Sequence, residues 1–151
     1  MESQNSNQCD LRLLKMVFDK IYFERSGFKN ENELELEMNV QVSENKTDNL
    51  FKVTLGAEGI KAEEYKFEVK LTGFFSVDGD NIELKKSLIN QNAVAILMPY
   101  IRSEISLLTA QPETDCVVLP PFNITKLMKA WSNKFCLTKN PATVIIRAGF
   151  F

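Results

Sequence analysis

Between Glu33 and Val42 the chain alternates without exception, with Leu34, Leu36, Met38, Val40 and Val42 set between Glu33, Glu35, Glu37, Asn39 and Gln41. A period of two sends successive side chains to opposite faces of a pleated backbone, so this stretch predicts a β-strand with one apolar and one acidic face. A helix would scatter the same leucines and glutamates around its surface. The strand therefore belongs to a sheet that is covered on one side only, which favours antiparallel pairing.

The same period recurs on either side. Leu14, Met16 and Phe18 alternate and then yield to Ile21 and Phe23 on the opposite parity, which predicts a first strand with a bulge near Asp19 and Lys20. A polar connection containing Gly27 follows. Asn45 to Asn49 predicts a turn, and Phe51, Val53 and Leu55 restart the alternation until Gly56 and Gly59, where an interruption or bend is expected. Tyr65, Phe67, Val69, Leu71, Gly73 and Phe75 form a fourth run opposite Lys66, Glu68, Lys70, Thr72 and Phe74. Four sequential strands with short connections predict a meander.

From Leu84 the period changes. Leu97, Ile101, Ile105 and Leu108 recur at helical spacing, Asp80 is a candidate cap, and Pro99 falls inside the pattern, where a kink or break is expected. Pro112 closes this region and Pro120-Pro121 holds an extended linker. Asn123 is a candidate cap for a second helix carrying Ile124, Leu127, Met128, Trp131 and Phe135 on one stripe. Strands first and helices after predict an α+β fold: a four-stranded antiparallel sheet with a Pro-kinked long helix and a C-terminal helix packed on one side. One domain over residues 1–151 is expected, with a flexible N-terminus at 1–10 and an atypical tail at 138–151.

Composition narrows the function. There is no histidine, and Cys9, Cys116 and Cys136 form no CxxC pair, so zinc binding and Ser-His or Cys-His catalysis are disfavoured together. The N-terminus lacks a basic start followed by an apolar run, and no membrane-length apolar segment occurs, so a cytoplasmic location is expected. The formal charge is −2, yet Lys126, Lys129, Lys134, Lys139 and Arg147 after Cys116 face no acid. Five cations strung along one terminal segment of an acidic chain are not a nucleic-acid surface, which interleaves basic and stacking aromatic residues over a broad face. Asp78, Asp80 and Glu83 form a carboxylate group after the fourth strand, the basis for a small-ligand-binding or enzymatic α+β domain. Asp-Gly-Asp-Asn is equally turn and cap chemistry.

Several segments, in order, resemble the SecB family of export chaperones: Ile-Tyr-Phe-Glu at Ile21 to Glu24, the strand Phe67 to Val77 with Gly73 and Phe74-Phe75-Ser76, Pro99-Tyr100 followed by Arg102 and Glu104, and Pro121-Phe122-Asn123 entering a helix. The resemblance implies a dimer of dimers, a homotetramer that holds non-native polypeptides in apolar grooves, uses no cofactor and delivers its clients to the motor SecA. Position by position it implies a client groove floored by Leu34, Leu36, Met38 and Val40, with Phe74 as a contact and Leu127, Met128, Trp131 and Phe135 along a helical wall. Core packing is the competing account of each strand position. Glu24 and Glu68 stand where the motor contact is made, but Lys20 replaces an acidic position. The tail from Val144 to Phe151 is apolar and basic where the family's is acidic. That tail either packs on the body as an extra element or covers the groove when no client is bound. Relatives dedicated to one partner, such as an antitoxin, supply a second function on the same fold.

Overall fold

The structure is a computed structural model describing residues 10–45, 49–121 and 142–148. The fold is α+β. Strands β1 (Asp10–Arg25), β2 (Leu34–Asn45), β3 (Leu50–Lys61) and β4 (Tyr65–Asp78) are antiparallel, and a late strand β5 (Ala142–Ala148) joins the same sheet, giving the order β1-β4-β3-β2-β5. The meander holds for β2, β3 and β4, which pair in sequence order. β1 departs from it: the chain crosses from one side of the sheet to the other after Arg25, so that β1 pairs with β4 and not with β2. The crossover, residues 26–33, is the longest connection between the first four strands.

β1 carries two register shifts, between Leu13 and Lys15 and between Phe18 and Lys20. The second is the bulge expected near Asp19. The first lies at Leu14, and an extra residue there inverts the parity of everything before it. Leu11, Met16, Phe18 and Phe23 pack against the core, while Leu14 is turned out to solvent. β3 runs through Gly56 and Gly59 without a break. At Gly59 the Phe67 ring of β4 lies where a Cβ would stand, 2.3 Å from its position, so the missing side chain admits a neighbour's aromatic ring.

Asn81, not Asp80, caps the first helix: its Oδ1 accepts the Leu84 N–H at 3.2 Å. α1 (Ile82–Ser87) passes through a π-helical turn, Leu88–Ala93, into α2 (Val94–Thr109). The α-helix continues across Pro99 and the irregular winding sits just before it. Ile89, Ala93, Val94, Leu97, Met98, Ile101 and Ile105 bury one helical stripe on the sheet face formed by Val53, Leu55, Val69, Leu71 and Phe75. The C-terminal helix expected from Asn123 onward lies outside the described residues, as do 1–9.

α2 also captures the strand-like segment that follows it. Arg102 donates to the Leu119 carbonyl through Nε (3.2 Å) and Nη2 (2.7 Å), Ser106 Oγ donates to the Val117 carbonyl (2.8 Å), and Thr109 Oγ1 accepts the Val117 N–H (2.8 Å). Leu119 is buried beneath these bonds. The chain is thereby turned back along α2, from the level of Thr109 at Val117 to that of Arg102 at Leu119.

Candidate polypeptide-binding cleft

The returning segment and the crossover form the two walls of a cleft of about 520 Å³, lined by Lys29 to Leu34 on one side, Asp115 to Val118 on the other, and Lys61 and Tyr65 between them. A salt bridge spans the walls, Lys29 Nζ to Asp115 Oδ1 at 2.9 Å. Nearby Arg25 donates to the Pro112 carbonyl at 3.1 Å and to the Thr114 hydroxyl.

The crossover wall is built by a dense polar lock. The Glu64 carbonyl accepts the N–H groups of Ser26 (2.9 Å) and Gly27 (3.1 Å). Its fully buried carboxylate accepts the Asn30 N–H at 2.8 Å and pairs with Lys61 at 2.9 Å, both through Oε1. Lys61 Nζ donates to the Asn30 carbonyl (2.9 Å), and the side-chain amides of Asn30 and Asn32 both donate to the Ala62 carbonyl. At Gly27 a Cβ would lie 2.0 Å from the Glu63 carbonyl oxygen, so no other residue lets the crossover approach the β3–β4 turn this closely. These bonds satisfy a non-strand backbone that would otherwise depend on solvent.

Apolar side chains flank the cleft without cover. Phe28, in the crossover just before Lys29, is 88% exposed, and Val118, on the wall across from Lys29 to Leu34, is 63% exposed. Tyr65 closes the floor, where burial, followed by the charges of Glu64 and Asp115, pushes its phenol up to about 12. From pH 10.0, the ordinary value, the unfolded chain sheds the Tyr65 proton before the folded chain does. Stability contributed by this difference is therefore complete below that pH and lost as pH rises through the folded value. Tyr65→Phe is expected to flatten this part of the alkaline decline, read as denaturant midpoints on either side of pH 10.0. An unchanged decline would exclude the effect.

Of the strand positions expected to line a groove, only Leu34 borders the cleft. Leu36, Met38 and Val40 are buried in the core cluster with β3 and β4. Phe74 is on the other face of the sheet, half-buried, with Lys15 Nζ 4.7 Å from its ring centre. Glu24 and Glu68 share that outer face and are neutralised there. Lys20 bonds Glu68 at 2.5 Å with Lys70 at 3.7 Å, and Glu24 accepts from the Tyr22 hydroxyl and pairs with Lys66 at 3.4 Å. The Lys20 bond holds Glu68 below the ordinary carboxylate range, and the Tyr22 hydroxyl does the same for Glu24. Leu127, Met128, Trp131 and Phe135 lie outside the described residues. Asp78 ends β4 and Glu83 lies in the first turn of α1, and among the described residues no three His, Cys, Asp or Glu side chains are grouped to hold a metal ion. Sequence periodicity placed Tyr65 in the fourth strand but marked neither it nor Phe28 nor Val118 as belonging to a cleft. The one available signal was Phe28, a lone aromatic in an otherwise polar connection.

Comparison with known proteins agrees with this architecture. The family described as "Preprotein translocase subunit SecB" matches residues 10–134. An uncharacterized protein of Methanocaldococcus jannaschii is 35% identical over 85 residues, 56% of this chain and 55% of that one, so the chain spans about half the length of the curated relative it matches. Among solved structures, a Mycobacterium tuberculosis SecB-like chaperone in complex with a ChAD peptide from the HigA1 antitoxin superposes with a TM-score of 0.61 at 15% identity, covering 74% of this chain and 90% of that one. A Streptococcus agalactiae protein of unknown function aligns with a TM-score of 0.47 at 9% identity, over 76% of this chain and 99% of that one.

Proposed function

This chain belongs to the SecB family, and we propose that it is a holdase which keeps non-native polypeptides extended and unaggregated without catalysis. The observation that carries the proposal is the cleft between the crossover and the returning segment, with Val118 uncovered on one wall and Phe28 uncovered in the crossover, one residue before the opposite wall begins at Lys29. A polypeptide entering it meets apolar contacts beside polar, backbone-rich walls, a combination that accepts many sequences. Burying four large client side chains yields about 6–12 kcal/mol, and association costs about 4–15 kcal/mol. A single cleft therefore releases its client readily, and firm holding needs several clefts engaged by one chain.

Assembly supplies them. β1 is a 16-residue strand with no partner on its outer side among the described residues, and it exposes Leu14, Val17, Ile21 and Tyr22. A long apolar edge of this kind is a template for pairing with another chain, and we assign it to a second copy, within a dimer of dimers. Glu24 and Glu68 are paired within their own sheet, so delivery to a motor such as SecA is not part of the proposal. No helix among the described residues is long and apolar enough to cross a membrane.

A second account keeps the chaperone and narrows its client to one partner, as the antitoxin peptide bound by the Mycobacterium tuberculosis structure suggests. One experiment separates the two. The purified protein, with its assembly mass measured in parallel, is mixed with several unrelated chemically unfolded proteins. Delayed aggregation of most of them at near-stoichiometric amounts supports the general holdase. Delay of none would sink it and leave the dedicated chaperone.

A further inference from the structure

β5 pairs with β2 along its whole length: Ala142 lies across from Val40, Val144 from Met38, Ile146 from Leu36, Arg147 from Glu35 and Ala148 from Leu34. Nothing local imposes this pairing. The paired residues lie more than a hundred positions apart in sequence, and β5 lies beyond residues 10–134, where the family match ends. β5 takes the outer side of β2, so that the sheet's other margin, β1, stays open among the described residues. The same strand β2 begins at Leu34, one of the residues that line the cleft, so the β2 margin starts where the cleft ends.

The β5 sequence, Ala-Thr-Val-Ile-Ile-Arg-Ala, has the chemistry of the polypeptide such a margin would capture. It is rich in β-branched residues, contains no acid, and brings one cation to the register position across from Glu35. We propose that β5 is a built-in occupant of the β2 margin, which an extended, β-branched, non-acidic client segment displaces by adding as a strand in the same place. The proposal rests on the holdase assignment above. It gives the chaperone a closed resting state in which the backbone groups of β2 are paired and the sheet does not recruit other chains at that margin. A client must then outcompete a strand tethered to the same molecule.

The tether sets the size of the effect. A strand carried on the same chain competes at an effective concentration on the order of mM. If its intrinsic affinity is on the order of 0.1 mM, occupancy weakens a client strand about tenfold. Proline removes the ladder donor from alternate strand positions, so of Ile145→Pro and Ile146→Pro at least one breaks the pairing. Ile145→Val leaves the backbone intact.

The probe is a fluorescent peptide of the β5 sequence titrated into each full-length protein. At least one proline variant is expected to bind it about tenfold more tightly than the native chain, with Ile145→Val unchanged. Equal binding by all, while all still delay aggregation of an unfolded protein, overturns the β5 proposal and leaves the holdase standing. If no protein delays aggregation, the holdase assignment falls and the β5 proposal with it. A second measurement needs no variant: amide exchange of residues 142–148 in the native chain, with and without saturating unfolded client. Protection lost on client binding supports displacement, and protection retained overturns it.

Discussion

Glu64→Ala is expected to lower the unfolding free energy by about 3–5 kcal/mol, the usual result of removing one member of a buried ion pair. The loss has two sources. Lys61, itself largely buried, keeps only the Asn30 carbonyl as a partner, and the Asn30 N–H loses its acceptor. Glu64→Gln should cost less, because its amide oxygen still receives the Asn30 N–H. Denaturant midpoints at one fixed protomer concentration provide the measurement, since assembly otherwise shifts apparent stability. A loss below about 1 kcal/mol for the alanine variant would show that the polar lock contributes little, given how costly an unpaired buried charge is. The backbone bonds from Ser26 and Gly27 to the Glu64 carbonyl survive either substitution. The crossover should therefore loosen at Asn30 before it detaches at Gly27.

Replacing Phe28 and Val118 together by serine is expected to leave stability within about 0.5 kcal/mol, since both side chains are exposed in the folded chain. Client affinity should respond far more. Two apolar side chains that a bound polypeptide would cover contribute about 3 kcal/mol between them, close to a hundredfold in dissociation constant. The contrast between the two readouts is the content of the prediction. If the double variant holds an unfolded protein as well as the native chain does, the cleft is not where clients bind. If instead it unfolds easily, Phe28 and Val118 are packing residues in the assembled protein.

The strands were legible in the sequence because a sheet covered on one side must alternate, and the helical stripe at Leu97, Ile101 and Ile105 was legible for the corresponding reason. Two features were not. The extra bulge at Leu14 obeys no period, and its effect is to invert one. The placement of β1 beside β4 depends on a crossover whose composition reads only as a polar loop; its direction is set by Glu64, Lys61 and Gly27, which meet only in three dimensions. The site followed the same division. The resemblance implied Leu34, Leu36, Met38 and Val40 as a groove floor, whereas alternation alone reads them as one packed face, and that face is buried in the core cluster. Most of the cleft is made from loop residues with no periodicity to announce them, and reading the crossover as a polar connection passed over Phe28. β5 was recognisable as apolar and basic, but nothing in seven residues says which of several strands they will join.

The crossover also fixes the order in which the chain can complete itself. Asp10 waits for Asp78 and Arg25 for Tyr65, whereas β2, β3 and β4 close with their immediate neighbours. At synthesis rates of about 5–20 residues/s, β1 stands without its partner for several seconds. During that interval its apolar residues lack the neighbour that later covers them. On the proposed holdase role, the nascent β1 has the same character as the clients the finished chain would shelter.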